Sequence, residues 1–343
     1  MSSSALVVGC FQGDRNAAIG WIAARKARML CCIQDGSGDY SPGKGAEAAG
    51  SRYFLAGSQV AGRLIEGEGY FMPHFKGTHS EIFYEQTGNG ADIVWVGGGG
   101  TVGRDWQRFQ TPHFDKSFRS TTFDNRGVGQ TTCHAAMPWP IEAFSDDLAE
   151  LAQAVCDGPA IFIGNSLGAA IVQQVLIDHP EVVRAGIVMG TGAWSTGWGW
   201  DYQEAEIEFR KAGGRLDGLM AVTHYAAMLY PARVLGDREL WPKLKAMLLE
   251  WVESGEGEDS VISQWEASLR FDQRAQLSRV RVPTHVVAFG EDIMAPPQDG
   301  EELAQLIPGA EFHLLEGMGH TSHIGHAHHE INAFLEGLAR RYV

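Results

Sequence analysis

The stretch that most restricts the fold is "AIFIGNSLGAAIVQQVL", residues 160–176. Apolar residues run unbroken from Ala160 to Ile163, and Ser166 then stands between Gly164 and Gly168. An apolar-rich segment of helical length follows at once and ends before Pro180. The first part reads as a buried strand and the last as a helix. The turn between them is only a few residues long, with the serine at its tip. Side chains at 164 and 168 would strike the adjoining helix and strand, which accounts for glycine at both. A strand that passes straight into a helix belongs to a sheet of parallel strands with helical crossovers.

Other segments repeat this alternation. "SEIFYEQTG" (80–88) alternates apolar and polar residues, and "ADIVWV" (91–96) is a buried-strand run that ends in four glycines. "FRSTTF" (118–123) runs into a glycine-rich loop, and "PIEAFSDDLAELAQAV" (140–155) has helical spacing. "RAGIVMGTG", "THVVAFGED" and "AEFHLLEGMGH" read as further strands, and "EINAFLEGLARRYV" closes the chain as a helix. The fold class is therefore α/β, with a mostly parallel sheet covered by helices on both faces. Functional loops in such a sheet lie at the carboxyl ends of the strands.

One block breaks the alternation. Residues 194–276 contain four helical patterns and no convincing buried strand, and they read as a helical cap over the strand ends. Trp198, Trp200 and Trp265 in this block are candidate substrate contacts, while most of its aromatic residues are expected to pack its own interior. Residues 72–193 and 277–343 form the two parts of the core. Residues 1–71 are rich in Gly, Ser and small residues with little periodicity and are expected to be a poorly ordered extension.

Composition narrows the function. The net charge of −15 argues against nucleic acid or an anionic membrane as partner, since both demand a basic surface. No apolar run approaches the ~18 residues of a spanning helix. "ALVVGC" (5–10) loosely resembles the end of a lipoprotein signal, but no Lys or Arg precedes it. The five cysteines are odd in number and lack zinc-site spacing, so a reduced, cytoplasmic setting is expected. The partner is expected to be a small molecule. No cofactor is implied, and oligomeric state is not legible.

A serine hydroxyl needs a base within hydrogen-bond reach, and the base needs an orienting carboxylate. On a strand–turn–helix serine the partners follow in the order serine, acid, histidine. "THVVAFGEDIMAPP" ends a strand in Glu291 and Asp292, and "FHLLEGMGH" ends the next in a glycine-flanked loop carrying His320. Asp292 is preferred over Glu291 because Pro296 follows it after three residues and holds the loop. His323, His326, His328 and His329 crowd behind His320, and without an acidic or cysteine frame they imply no metal site. His313 lies inside its strand as a packed or edge residue. An oxyanion needs two N–H donors. Leu167 supplies one, and Gly99 in "VWVGGGGTVG" the other, with Gly98 or Gly100 as alternatives. The glycine run lacks the lysine of a phosphate loop.

From about Met72 the chain resembles the α/β-hydrolase fold superfamily, in particular its cap-bearing serine hydrolases: esterases, lactonases and meta-cleavage-product hydrolases. "DNRGVGQT" (124–131) resembles the superfamily's Asp-x-Arg-Gly-x-Gly loop, "GNSLG" its serine turn, and "GEDIMAP" and "GMGH" its acid and histidine loops. The resemblance implies Ser166, Asp292 and His320 as a catalytic triad. It implies hydrolysis of a carboxylic ester or lactone with an apolar body. The alternatives are cleavage of a carbon–carbon bond in a diketone, or a non-catalytic receptor. Two departures stand out. The histidine that usually opens the oxyanion loop is Gly97, and Thr321 follows His320 where the carbon–carbon hydrolases carry Trp.

Overall fold

The structure, a computed structural model, describes residues 73–254 and 258–343. The expected N-terminal extension over residues 1–71 lies outside the described residues. The strands are β1 (His74–Lys76), β2 (Ser80–Gly88), β3 (Ala91–Val96), β4 (Phe118–Phe123), β5 (Thr132–Cys133), β6 (Ala160–Asn165), β7 (Val183–Met189), β8 (Thr284–Phe289) and β9 (Glu311–Leu315). They form one sheet in the order β1-β2-β4-β3-β6-β7-β8-β9, with β5 beside β2. The pairs β1–β2, β2–β4 and β2–β5 are antiparallel, and every other pair is parallel.

The longer helices are α1 (Gly103–Phe109), α2 (Ile141–Val155), α3 (Leu167–Asp178), α4 (Gly197–Lys211), α5 (Gly218–Leu229), α6 (Leu240–Ser254), α7 (Glu258–Arg270), α8 (Pro297–Leu306) and α9 (His328–Ala339). They cover both faces of the sheet for a reason legible strand by strand. Side chains alternate across a strand. In β3, Val94 and Val96 join one buried cluster with Leu148 of α2 and Ile171 and Val175 of α3. Ile93 and Trp95 join another with Trp106 of α1 and Ile331 and Leu335 of α9. The middle strands thus carry apolar residues at successive positions because neither face meets water.

Helices α4 to α7 form an insertion between β7 and β8. It has apolar interiors of its own. Val222 and Ala226 of α5 pack on Leu244 and Leu248 of α6, and Ile207 of α4 on Ile262 and Leu269 of α7. Trp241 and Trp251 pack against the first of these. No helix among the described residues is long and apolar enough to cross a membrane.

Candidate active site

Ser166 is the turn residue between β6 and α3, with φ 56° and ψ −123°. Among the described residues it is the one non-glycine residue with positive φ. Such a conformation costs of order 1–3 kcal/mol and persists only where the surroundings enforce it. The enforcing contacts are identifiable. A Cβ on Gly164 would lie 2.5 Å from the Gly168 carbonyl oxygen, and one on Gly168 would overlap the Val96 carbonyl oxygen. Helix and strand therefore approach as closely as backbone allows. The Ser166 N–H is held by the Met189 carbonyl at 3.0 Å. Leu167 opens α3, and the first N–H groups of a helix have no acceptor within it.

His320 and Asp292 meet across 28 positions of sequence. His320 Nδ1 lies 2.7 Å from Asp292 Oδ2. An ionised carboxylate can only accept, so Nδ1 carries the proton and Nε2 is left as the basic nitrogen. The other carboxylate oxygen accepts from the N–H groups of Met294 (2.8 Å) and Ala295 (3.0 Å). The loop closed by Pro296 thus holds the acid from behind. Glu291 points elsewhere: it is exposed and pairs loosely with Arg233 at 3.9 Å. A Cβ on Gly190, after β7, would lie 3.3 Å from His320 Nδ1 and 3.4 Å from Asp292 Oδ2. Gly190 therefore leaves room for the pair. Asn165 Nδ2, beside Ser166, donates to the carbonyls of Met189 and His320, both at 3.4 Å.

The glycine loop after β3 lies against the serine. A Cβ on Gly98 would be 3.4 Å from Ser166 Cβ, and one on Gly99 would be 4.0 Å from Leu167 Cδ2. Gly100 is accounted for, since its N–H donates to Gln264 Oε1 at 2.8 Å. Gln264 is fully buried on α7, and its Nε2 donates to the Arg126 carbonyl at 2.8 Å. Asn125 Nδ2 donates to the Gly97 carbonyl at 3.2 Å. Of the three candidate donors, Gly98 and Gly99 remain. Sequence reasoning missed Gln264 and Asn125. A buried glutamine in a helix with an otherwise amphipathic pattern was the available signal.

The five histidines between positions 320 and 329 separate into distinct settings. His320 faces the cavity. His323 is buried behind it, stacked on Trp106 with ring centres 5.3 Å apart. Burial, then the neighbouring His320, pushes the His323 imidazole down to about 3. His326 Nε2 meets Ser322 Oγ at 2.9 Å. His323 and His326 precede α9, and His328 and His329 are its first residues.

Ser166 and His320 open into a cavity of about 80 Å³. Its wall combines Trp194, Trp200 and Phe271 with Thr191, Gln203 and Asp299. It is thus more polar than an apolar substrate body requires. Burial, then the charges of Glu302 and Asp292, holds the Asp299 carboxyl above the usual carboxylate range. Trp198, expected beside the substrate, does not line this cavity. It is 52% exposed and stacks on Tyr202 with ring centres 5.2 Å apart. The i, i+4 spacing puts both rings on one face of α4, where the Tyr202 hydroxyl also meets His224 of α5 at 2.9 Å. Trp265 does not line the cavity either. It lies over Gly99, and the Arg210 guanidinium covers its ring at 4.8 Å. A larger cavity of about 330 Å³ lies between the glycine loop and the inserted helices, lined by Gly100, Val102, Leu229, Leu248 and Thr321 among others. Gly100 and Thr321 adjoin Gly99 and His320 in the chain.

Residues 93–327 match the family described as the alpha/beta hydrolase fold. The chain belongs to the α/β-hydrolase family. Among its relatives is a Mycobacterium tuberculosis protein with the provisional name non-heme bromoperoxidase BpoC, 26% identical over 241 residues, 70% of this chain and 90% of that one. Two solved α/β-hydrolase structures share the architecture. Rv0554 of Mycobacterium tuberculosis superposes with a TM-score of 0.71 at 22% identity, over 83% of this chain and 99% of that one. The enol-lactonase of Burkholderia xenovorans does so with a TM-score of 0.65 at 23% identity, over 78% and 98%.

Proposed function

We propose that this α/β hydrolase cleaves a carboxylic ester or lactone of a small molecule, with Ser166 as nucleophile, His320 as base and Asp292 as its orienting acid. One observation carries the reading. Ser166, held in a strained turn, faces the same cavity as a histidine whose far nitrogen is bonded to a buried carboxylate. The His320 Nε2 takes the Ser166 proton as Oγ attacks the carbonyl carbon. The developing oxyanion is met by the N–H groups of Leu167 and Gly99. Collapse expels the alcohol, or opens the lactone ring, and leaves an acyl-serine. Water, activated by the same histidine, then releases the acid.

Helices α4 to α7 act as the cap in this reading. The small polar cavity takes the end of the substrate that hydrogen-bonds Thr191, Gln203 or Asp299, and the larger cavity takes its apolar part. The lactonase among the structural neighbours supports an ester or lactone carbonyl as the electrophile. The test is a panel of p-nitrophenyl esters, lactones and diketones with wild type and Ser166→Ala, together with fluorophosphonate labelling. Labelling of Ser166 and ester or lactone turnover confined to wild type support the proposal. Turnover that survives Ser166→Ala overturns it, and turnover of the diketones alone moves the reaction to carbon–carbon cleavage.

A further inference from the structure

Three ligand-type side chains meet at the end of the sheet opposite Ser166. His285 is the second residue of β8, and Glu311 and His313 belong to the edge strand β9. The parallel register pairs His285 with Glu311 and Val287 with His313. Residues two apart on a strand share a face, so all three project to the same side. Their ligand atoms converge. His285 Nδ1 is 3.0 Å from His313 Nε2 and 3.8 Å from Glu311 Oε2, and His313 Nε2 is 4.0 Å from Glu311 Oε2. In a tetrahedral zinc site with bonds near 2.0–2.1 Å, ligand atoms stand about 3.3 Å apart. The observed separations bracket that value, and a shift of a few tenths of an ångström per side chain would complete the set.

The surroundings suit a ligand role. The His285 side chain is buried, and its Nε2 is 2.7 Å from the Tyr342 hydroxyl. That contact fixes the ring so that Nδ1 faces the other two groups, as outer partners of ligating histidines do. Glu311 is exposed and gives access from solvent. Its carboxylate is gripped by Arg341, with Oε2 accepting at 2.8 Å and Oε1 at 2.5 Å. Oε2 can exchange that bond for a cation while Oε1 keeps Arg341.

We propose that His285, His313 and Glu311 bind a divalent transition cation of the zinc type, with water as the fourth ligand, and that the cation clamps β9 to β8. Among the described residues strand β9 has one neighbour in the sheet, so a cross-strand bond there resists fraying of the edge. The site is separate from the proposed hydrolytic centre.

The experiment uses the full chain after dialysis against a chelator, titrated with zinc chloride and followed by calorimetry and thermal melting. One zinc per chain is expected, with a rise in Tm of the wild type. Glu311→Gln and His313→Gln are expected to weaken binding at least about tenfold and to remove the rise in Tm. Glu311→Gln, at an exposed position, keeps the comparison available if His313→Gln folds poorly. A double variant, His328→Gln with His329→Gln, is expected to bind as wild type. Binding unchanged in Glu311→Gln and His313→Gln, or no stoichiometric binding by wild type, overturns the proposal.

Discussion

At the scale of single residues, the site depends on which neighbour of each pair faces inward. Asp292 and Glu291 are adjacent, yet only Asp292 reaches His320. Asp292→Asn is expected to lower turnover by about 10³–10⁴-fold, because an amide in that place no longer favours the Nδ1–H tautomer. Glu291→Gln is expected to leave it near wild type. Steady-state rates on the best ester or lactone check both, and the reverse ranking would transfer the acid's role to Glu291. His323 carries a different expectation. It is buried against Trp106 and Phe289. His323→Ala is expected to destabilise the fold by about 2–4 kcal/mol, as other large-to-small core changes do. Urea unfolding measures it. The pairing of Asp292 with His320 was legible from Pro296 and from the glycine-flanked strand end. The exposure of Trp198 was not legible, because it depends on how α4 packs on α7, and that packing does not show in an aromatic-rich segment.

At the scale of elements, the serine turn is a contact between strand and helix backbones. Gly168→Ala would drive a methyl group into the Val96 carbonyl, a collision with backbone that no rotamer relieves. The variant is expected to lose the cooperative melt or, if folded, all ester or lactone turnover, and a folded and active Gly168→Ala would contradict the geometry. Gln264 ties α7 to the glycine loop through Gly100 and to the next loop through Arg126. Gln264→Ala leaves a buried N–H unpaired, a loss of about 1–3 kcal/mol. A lower Tm and a kcat reduced about tenfold or more, with KM changed less, are expected from differential scanning and initial rates. The strands β2, β3, β4 and β6 to β9 were readable because their apolar runs are bounded by turn residues. Strands β1 and β5 were not, since three or two residues carry no period. Helices α1 and α8 also escaped notice. For α8 the signal was Pro297 at the first helical position ahead of "EELAQL".

At the scale of the whole molecule, buried histidines link stability to pH. Burial pushes His323 down to about 3, and burial followed by the charges of Arg233 and His328 pushes His326 down to about 4. In the unfolded chain both titrate near the ordinary value of about 6.5. Below that pH the unfolded state binds more protons than the folded one, so stability falls as pH falls. Their contribution is complete above about pH 6.5 and is lost progressively down to about pH 3. Urea midpoints measured across this window are expected to decline with acid, and less steeply in a folded His323→Leu variant. An identical decline in that variant would show that His323 takes no part. The sequence by itself determined the α/β class, the order of the main strands and helices, and the serine turn, because each follows from local periodicity and from glycine at backbone contacts. Tertiary structure alone decided that Gly100 is bonded and unavailable, that Trp198 faces outward, and that a polar wall with Asp299 borders Ser166. It alone also brought His285 to Glu311 and His313. These features join residues far apart in the chain, and the direction of a side chain over such separations is set by how elements pack, which local pattern does not encode.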